Sequence, residues 1–255
     1  MVSSKRLPRR LDRAFQNLGE TSEAVRDILM LHGDPSHPSW YDHFIGDSAG
    51  TWPADANWGY PATAGTGTEV IALEAAAGGV LGLTTGANAN DSAGQAVGLH
   101  WRGDLGFYFI ARVKLDTLAS SIIEVGLRSA VTGDTGAVDT KATPTFTDAD
   151  CVLFCRDTTD DTNITFVSNG GSTDANADAS YAVTADTYFI VEIVGGGPTS
   201  TTGDNVTGYI NGQRVGSGNI NGATLLTPWF YVETLTTATR KLSVDYGACV
   251  GNLAF

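Results

Sequence analysis

Phe107-Tyr108-Phe109-Ile110-Ala111-Arg112-Val113-Lys114-Leu115 decides the fold class. Phe107, Phe109, Ala111, Val113 and Leu115 occupy every second position, and Tyr108, Ile110, Arg112 and Lys114 fill the gaps between them. A period of two places the first set on one face of an extended chain and the second set on the other. Such a segment is a strand with one face in a core.

The same period recurs on both sides. Ile123, Val125 and Leu127 alternate with Glu124 and Arg128, and Leu242, Val244, Tyr246, Ala248 and Val250 alternate with Ser243, Asp245 and Cys249. Reading outward gives strand candidates at 40–45, 68–73, 80–84, 96–101, 106–115, 121–128, 150–156, 163–168, 187–194, 206–210, 213–216, 229–234 and 241–250. Asn211-Gly212 separates two of them by two residues, the signature of a type I′ hairpin turn, which needs positive φ at both centres. Loops rich in Asp, Thr, Asn and Gly at 129–148, 157–162 and 169–186 are expected to cluster at the ends of a sandwich. The expectation is an all-β, two-sheet antiparallel jelly-roll sandwich over residues 39–255. The composition agrees, with 31 Gly and only 17% charged residues in 255. A chain of this size can form a single all-β domain large enough to fold without a metal or disulfide staple.

Residues 1–38 read differently. Leu7, Leu11, Ala14, Phe15 and Leu18 fall on one face of a helix over 7–18, and Arg6, Arg9, Arg10 and Arg13 on the other. Pro8 suits a first helical turn. After Gly19, Thr21 or Ser22 can cap a second helix carrying Val25, Ile28, Leu29 and His32. Gly33, Asp34, Pro35 and Pro38 then form a linker. Helices this short need a protein surface to pack on. Residues 1–32 hold six basic and four acidic side chains, which leaves nine basic against twenty-four acidic in the remainder. A body with that acidic excess repels a phosphate backbone, so nucleic acid is not an expected partner.

Cys151 and Cys155 share one strand candidate, about 13 Å apart at roughly 3.3 Å per residue, beyond the about 7 Å that a disulfide spans. Three cysteines without framework spacing fit synthesis in a reducing cytoplasm. No apolar run follows the basic N-terminus as a secretory signal requires, and none approaches the ~20 residues of a membrane helix, so a soluble protein without membrane contact is expected.

Several segments together resemble a known group. They are Trp40-Tyr41-Asp42-His43-Phe44-Ile45-Gly46-Asp47, Val80-Leu81-Gly82-Leu83-Thr84-Thr85-Gly86, Phe107–Leu115 with Glu124-Val125-Gly126-Leu127, Tyr209-Ile210-Asn211-Gly212 and Leu242-Ser243-Val244-Asp245-Tyr246. The set resembles the concanavalin-like (laminin-G-like) jelly-roll domains of tailed-bacteriophage structural proteins, over residues 40–255. That resemblance implies a virion protein: a capsid decoration (cement) protein, a tail or fibre component, or a sugar-binding module. Fold alone does not choose among them.

Motifs for chemistry are weak. Gly46-Asp47-Ser48-Ala49-Gly50 fits a hydrolase nucleophile elbow, but Thr51, Trp52 and Pro53 follow where a helix is required. Jelly-roll glycosidases set paired carboxylates on one strand face, whereas Glu69 and Glu74 are five apart, and Glu124, Glu192 and Glu233 each stand alone as outward positions. His32, His37 and His43 lack zinc spacing, and His100 sits beside Trp101. Asp157, Asp160 and Asp161 lack the spaced ligands of a calcium loop. Trp40, Trp52, Trp58 and Tyr60 read as packing residues rather than a sugar platform. No catalytic residue, metal or cofactor is therefore expected. The expectation is a non-enzymatic virion protein, made in the host cytoplasm, that decorates or cements a phage capsid. Its partners are the major capsid protein or another virion protein, and it forms a symmetric dimer or trimer. The contacts come from Arg6, Arg9, Arg10 and Arg13 with Leu7, Leu11, Phe15 and Leu18. The alternative is a glycan- or receptor-binding module of a tail or fibre, with a surface glycan as ligand.

Overall fold

The structure, a computed structural model, describes residues 39–42, 50–51, 62–63, 69–74, 79–131, 135–141, 145–160, 162–170, 174–175, 180–195, 205–221 and 223–251. The expected helical arm, with Arg6, Arg9, Arg10, Arg13, Leu7, Leu11, Phe15 and Leu18, lies outside them, as do His32, His37, His43, Trp52, Trp58, Tyr60 and Asp161.

In chain order the strands are β1 (Ser39–Asp42), β2 (Gly50–Thr51), β3 (Ala62–Thr63), β4 (Val70–Leu73), β5 (Leu81–Thr84), β6 (Ser92–Ala96) and β7 (Trp101–Arg102). After a 3-10 turn at Gly103–Leu105 come β8 (Phe107–Leu115), β9 (Ser121–Arg128), β10 (Val138–Thr140), β11 (Thr145–Phe146), β12 (Cys151–Asp157) and β13 (Ile164–Asn169). The rest are β14 (Asp174–Ala175), β15 (Ser180–Tyr181), β16 (Phe189–Gly195), β17 (Val206–Ile210), β18 (Gln213–Gly218), β19 (Leu225–Thr234) and β20 (Lys241–Gly251).

They form two antiparallel sheets and a small β10–β11 hairpin. Sheet A runs β18-β17-β16-β8-β20-β5-β4-β2, with β1 also paired to β20; sheet B runs β14-β13-β12-β9-β19-β6-β3, with β15 on β13 and β7 on β19. The alternation read at 107–115 is realised: Phe107, Phe109, Ala111, Val113 and Leu115 are all buried between the sheets. Opposite them lie Val125, Leu127, Phe154, Phe166 and Phe230, with Phe109 and Phe230 ring centroids 6.1 Å apart. Each of the larger side chains removed from water contributes about 1.5–3 kcal/mol, and this layer holds the fold together. Trp40 joins the core against Phe230, as a packing tryptophan. Gly208 and Gly216 let Phe166 in: a Cβ on them would stand 2.3 and 2.8 Å from it.

The hairpin turn forms as expected. Asn211 and Gly212 have φ of 50° and 75°, and the Asn211 carboxamide accepts the Ile190 N–H at 2.9 Å. The cysteines are free: Cys151 and Cys155 face outward on β12, and Cys249 lies in the core.

Three expectations need correction. Leu242, Val244, Tyr246, Ala248 and Val250 do not share one face: a bulge between Val244 and Tyr246 shifts the phase, leaving Leu242, Val244 and Cys249 in the core and Tyr246, Ala248 and Val250 on the outer side. The single strand expected at 96–101 is two, β6 and β7, because the Thr227 hydroxyl accepts the N–H groups of Val97 and Gly98 at 3.0 and 2.8 Å and takes them out of the ladder. The 129–148 segment is not an end loop. Its described residues 135–141 and 145–148 carry β10 and β11 and lie on the outer face of sheet B, drawn there by two charged side chains of β9.

Candidate functional site: the outer faces of the two sheets

On sheet B the outward positions of β9 include Glu124 and Arg128, and those of β19 are Trp229, Tyr231 and Glu233. The register sets Glu124 opposite Tyr231 and Glu233 one diagonal step away, a Cα separation of about 7–8 Å in a sheet. Glu124 is 0% exposed. Its carboxylate accepts the backbone N–H groups of Ala137 and Val138, both at 2.8 Å, and the Trp229 indole N–H at 2.9 Å. Four residues on, Arg128 donates to both oxygens of Asp148 at 2.8 and 2.6 Å and to the Thr135 carbonyl at 3.1 Å. The two charges thus strap residues 135–141 and 145–148 onto the sheet. Beneath the strap, Ala96, Leu153, Cys151, Cys155 and Val167 form a second apolar layer with Ala137 and Val138. Trp229 stacks on Tyr231 at 5.7 Å, and the Arg128 guanidinium lies 4.4 Å from the indole centroid.

Burial pushes the Glu124 pKa up, against the pull of its N–H donors and Arg128. Burial also raises Glu233, opposed by the Tyr231 hydroxyl that donates to it at 2.7 Å and reinforced by Asp157. The thiols of Cys151 and Cys155 are pushed well up, by burial first and then by Glu124, which disfavours the reactive thiolate.

The three glutamates read as solitary outward positions are therefore not solitary. Glu124 is sealed, Glu233 bonds Tyr231, and Glu192 accepts the Tyr108 hydroxyl at 2.5 Å. The partners of Glu124 and Glu192 lie on neighbouring strands, beyond the reach of spacing along one strand, while that of Glu233 lies two residues back on its own strand. A signal was present nonetheless: Trp229, Tyr231 and Glu233 share one parity on a strand whose other parity is apolar. Of the acidic loop, Asp157 accepts the Thr159 N–H and hydroxyl, and Asp160 pairs with Lys141 at 3.6 Å. Glu74 accepts from Ser243 and pairs with Lys241 at 3.0 Å. His100 meets Trp101 edge-on. Among the described residues no group of three or more His, Cys, Asp and Glu sits close enough to hold a metal.

The outer face of sheet A is of another kind. One row across it reads Tyr41, Ala248, Ile110, Glu192, Tyr209; its neighbours read Val250, Tyr108, Val194 and Tyr246, Arg112, Ile190. Ile110, Tyr246, Ala248 and Val250 form a buried apolar cluster on this outward side. Besides Glu192 within it, the face turns ionic towards one end, where Arg112 pairs with Asp245 and lies over Tyr188, and Lys114 bonds Asp186 at 2.7 Å.

No family model matches the chain, and no curated protein does. Among solved structures, one of the endo-acting O-glycanases that prominent human gut microbiota express to initiate mucin breakdown is similar over 84% of this chain and 99% of its own, with TM-score 0.55 and 10% identity. A protein of unknown function from Shewanella oneidensis MR-1 is similar over 84% and 87%, with TM-score 0.51 and 13% identity. The potassium-bound carbohydrate recognition domain of Emp46p aligns over 72% and 87%, with TM-score 0.47 and 8% identity. At these identities the likeness is one of fold alone, an all-β sandwich.

Proposed function

We propose that the chain is a non-enzymatic structural protein of a virion that decorates or cements a phage capsid through protein–protein contacts. The observation that supports a binding role is the state of Glu124. A glycosidase-type carboxylate pair needs both acids open to a substrate, and Glu124 is closed beneath residues 136–138 with three donors on its oxygens. The contact is assigned to the arm. Arg6, Arg9, Arg10 and Arg13 meet carboxylates of the major capsid protein or another virion protein, for which the planar guanidinium fork is suited. Leu7, Leu11, Phe15 and Leu18 pack on a protein surface beneath them. The protein acts as a symmetric dimer or trimer within the virion. Binding of full-length chain to purified capsids, against a chain lacking residues 1–32, tests the reading: the truncated protein should fold and fail to bind. Undiminished binding removes it.

The second reading is a glycan- or receptor-binding module of a tail or fibre. Its support is the fold, which proteins that act on carbohydrate, such as the O-glycanase, also use. Reproducible hits on a glycan array would favour it over capsid decoration.

A further inference from the structure

An asparagine followed by glycine exposes its side-chain amide to attack by the next backbone nitrogen, because glycine has no Cβ to hinder the approach. The chain holds three such pairs, Asn169-Gly170, Asn211-Gly212 and Asn221-Gly222. The second stands at the tip of the β17–β18 hairpin, with both residues exposed. A Cβ built on Gly212 would meet nothing within 4 Å, so water has free access to the turn. The Asn211 carboxamide is nevertheless held at both ends. Its Oδ1 accepts the Ile190 N–H at 2.9 Å, and its Nδ2 donates to the Tyr181 hydroxyl at 3.1 Å. Tyr181 stands on β15, which pairs with β13 of sheet B, whereas the hairpin belongs to sheet A, so this last bond joins the two sheets. The β17–β18 ladder makes no use of the carboxamide. What the two bonds do is fix the side chain itself.

We propose that Asn211 is a latent deamidation site and that the Tyr181 hydroxyl is its guard. In the reaction the Gly212 amide nitrogen attacks Cγ of Asn211 and forms a new N–Cγ bond. The Cγ–Nδ2 bond breaks, and Nδ2 leaves as ammonia with the proton that the Gly212 nitrogen gives up. Water then opens the succinimide at either carbonyl, to aspartate or to isoaspartate. For the attack the carboxamide must turn over the Gly212 nitrogen, and turning it breaks its bonds to β16 and β15. Without the Tyr181 hydroxyl it is pinned at Oδ1 alone. Tyr181 is thus a positioning residue that acts through the carboxamide. The product matters for the fold. Isoaspartate carries the chain through Cβ and lengthens the backbone of a two-residue turn, and such turns set strand register. The pairing of β17 and β18, at the edge of sheet A, is the first to suffer. The inference goes beyond the proposed function and does not depend on it.

The test uses the full-length chain, incubated in neutral buffer and sampled over weeks. Samples are digested at mildly acidic pH, where succinimide formation is slow. Peptides are then mapped by mass spectrometry with fragmentation that separates aspartate from isoaspartate. In the wild type, Asn211 should convert more slowly than in a free peptide of residues 206–216. Tyr181→Phe removes only the hydroxyl and should speed conversion at Asn211 about two- to tenfold, the range that one lost hydrogen bond gives. Asn169, whose Nδ2 donates to the Asp148 carbonyl at 2.8 Å, should keep its wild-type rate in that variant. Amide hydrogen exchange in β17 and β18 should be the same in freshly prepared Tyr181→Phe and wild type, which separates a guard from a mere prop of the hairpin. An unchanged rate at Asn211 in the variant, wild-type conversion as fast as in the peptide, a rise matched by an equal loss of amide protection, or an equal rise at Asn169 would each overturn the proposal.

Discussion

The Trp229 indole N–H donates to the Glu124 carboxylate at 2.9 Å, joining residues 105 positions apart across the β9–β19 pair. Two backbone N–H groups from the strap complete the coordination of that carboxylate. Replacing Glu124 with Ala would leave three buried donors without an acceptor, at about 1–3 kcal/mol each. We expect a loss of about 3 kcal/mol or more in urea unfolding, and a smaller loss for Glu124→Gln, which keeps one oxygen.

The cysteines report the same strap by chemistry. Cys151 and Cys155 lie beneath it, whereas Cys249 lies between the sheets. In the wild type none should react with iodoacetamide at neutral pH. In Arg128→Met, which removes one of the two ties from β9 to the strap and leaves Asp148 buried without its partner, Cys151 and Cys155 should alkylate while Cys249 stays protected. Equal labelling of all three would mean global unfolding, which breaking one half of a buried pair, at about 3–5 kcal/mol, can also cause; the milder Arg128→Lys separates the two outcomes.

Acid should stabilise sheet B. Burial raises both Glu124 and Glu233 above the ordinary carboxylate range in the folded protein. A raised folded pKa means tighter proton binding when folded, so the stability each acid contributes is complete below the unfolded value, about 4.3, and is lost as pH rises through the folded one. The urea midpoint should fall over that window, and fall less in Glu124→Gln and Glu233→Gln. Asp186 is shifted down by Lys114 and acts in the opposite direction, but it is unchanged in both variants, so the difference between variant and wild type isolates the buried acids.

Gly208→Ala would set a methyl 2.3 Å from the fully buried Phe166 ring. Overpacking of this kind costs about 1–3 kcal/mol. Calorimetry should show a lowered melting temperature, largely restored by Phe166→Leu in the same chain.

Gly212→Val would place a β-branched side chain at φ 75° in the Asn211-Gly212 turn. The strain is about 1–3 kcal/mol. Loss of amide protection should concentrate in β17 and β18, the edge of sheet A.

The sequence by itself determined the long strands of this protein. Period-two alternation at Phe107–Leu115 and Ser121–Arg128 carries its own evidence, because side-chain direction along a strand is local geometry; at Lys241–Gly251 it marked the strand but not its faces, which a bulge after Val244 exchanges. Asn211-Gly212 likewise specifies its turn through φ preference alone. Only the tertiary structure decided which strands adjoin, and with that everything about the faces. Glu124, Arg128, Trp229 and Tyr231 became one buried network because β9 and β19 pair in a particular register, a relation between segments a hundred residues apart. The 129–148 segment had a loop's composition and still became a strap, since an otherwise uncompensated buried carboxylate draws N–H donors from whatever chain can reach it. The apolar outer side of sheet A was present in the letters as Tyr108, Ile110, Tyr246 and Ala248, but it became a surface only when β8 and β20 lay side by side.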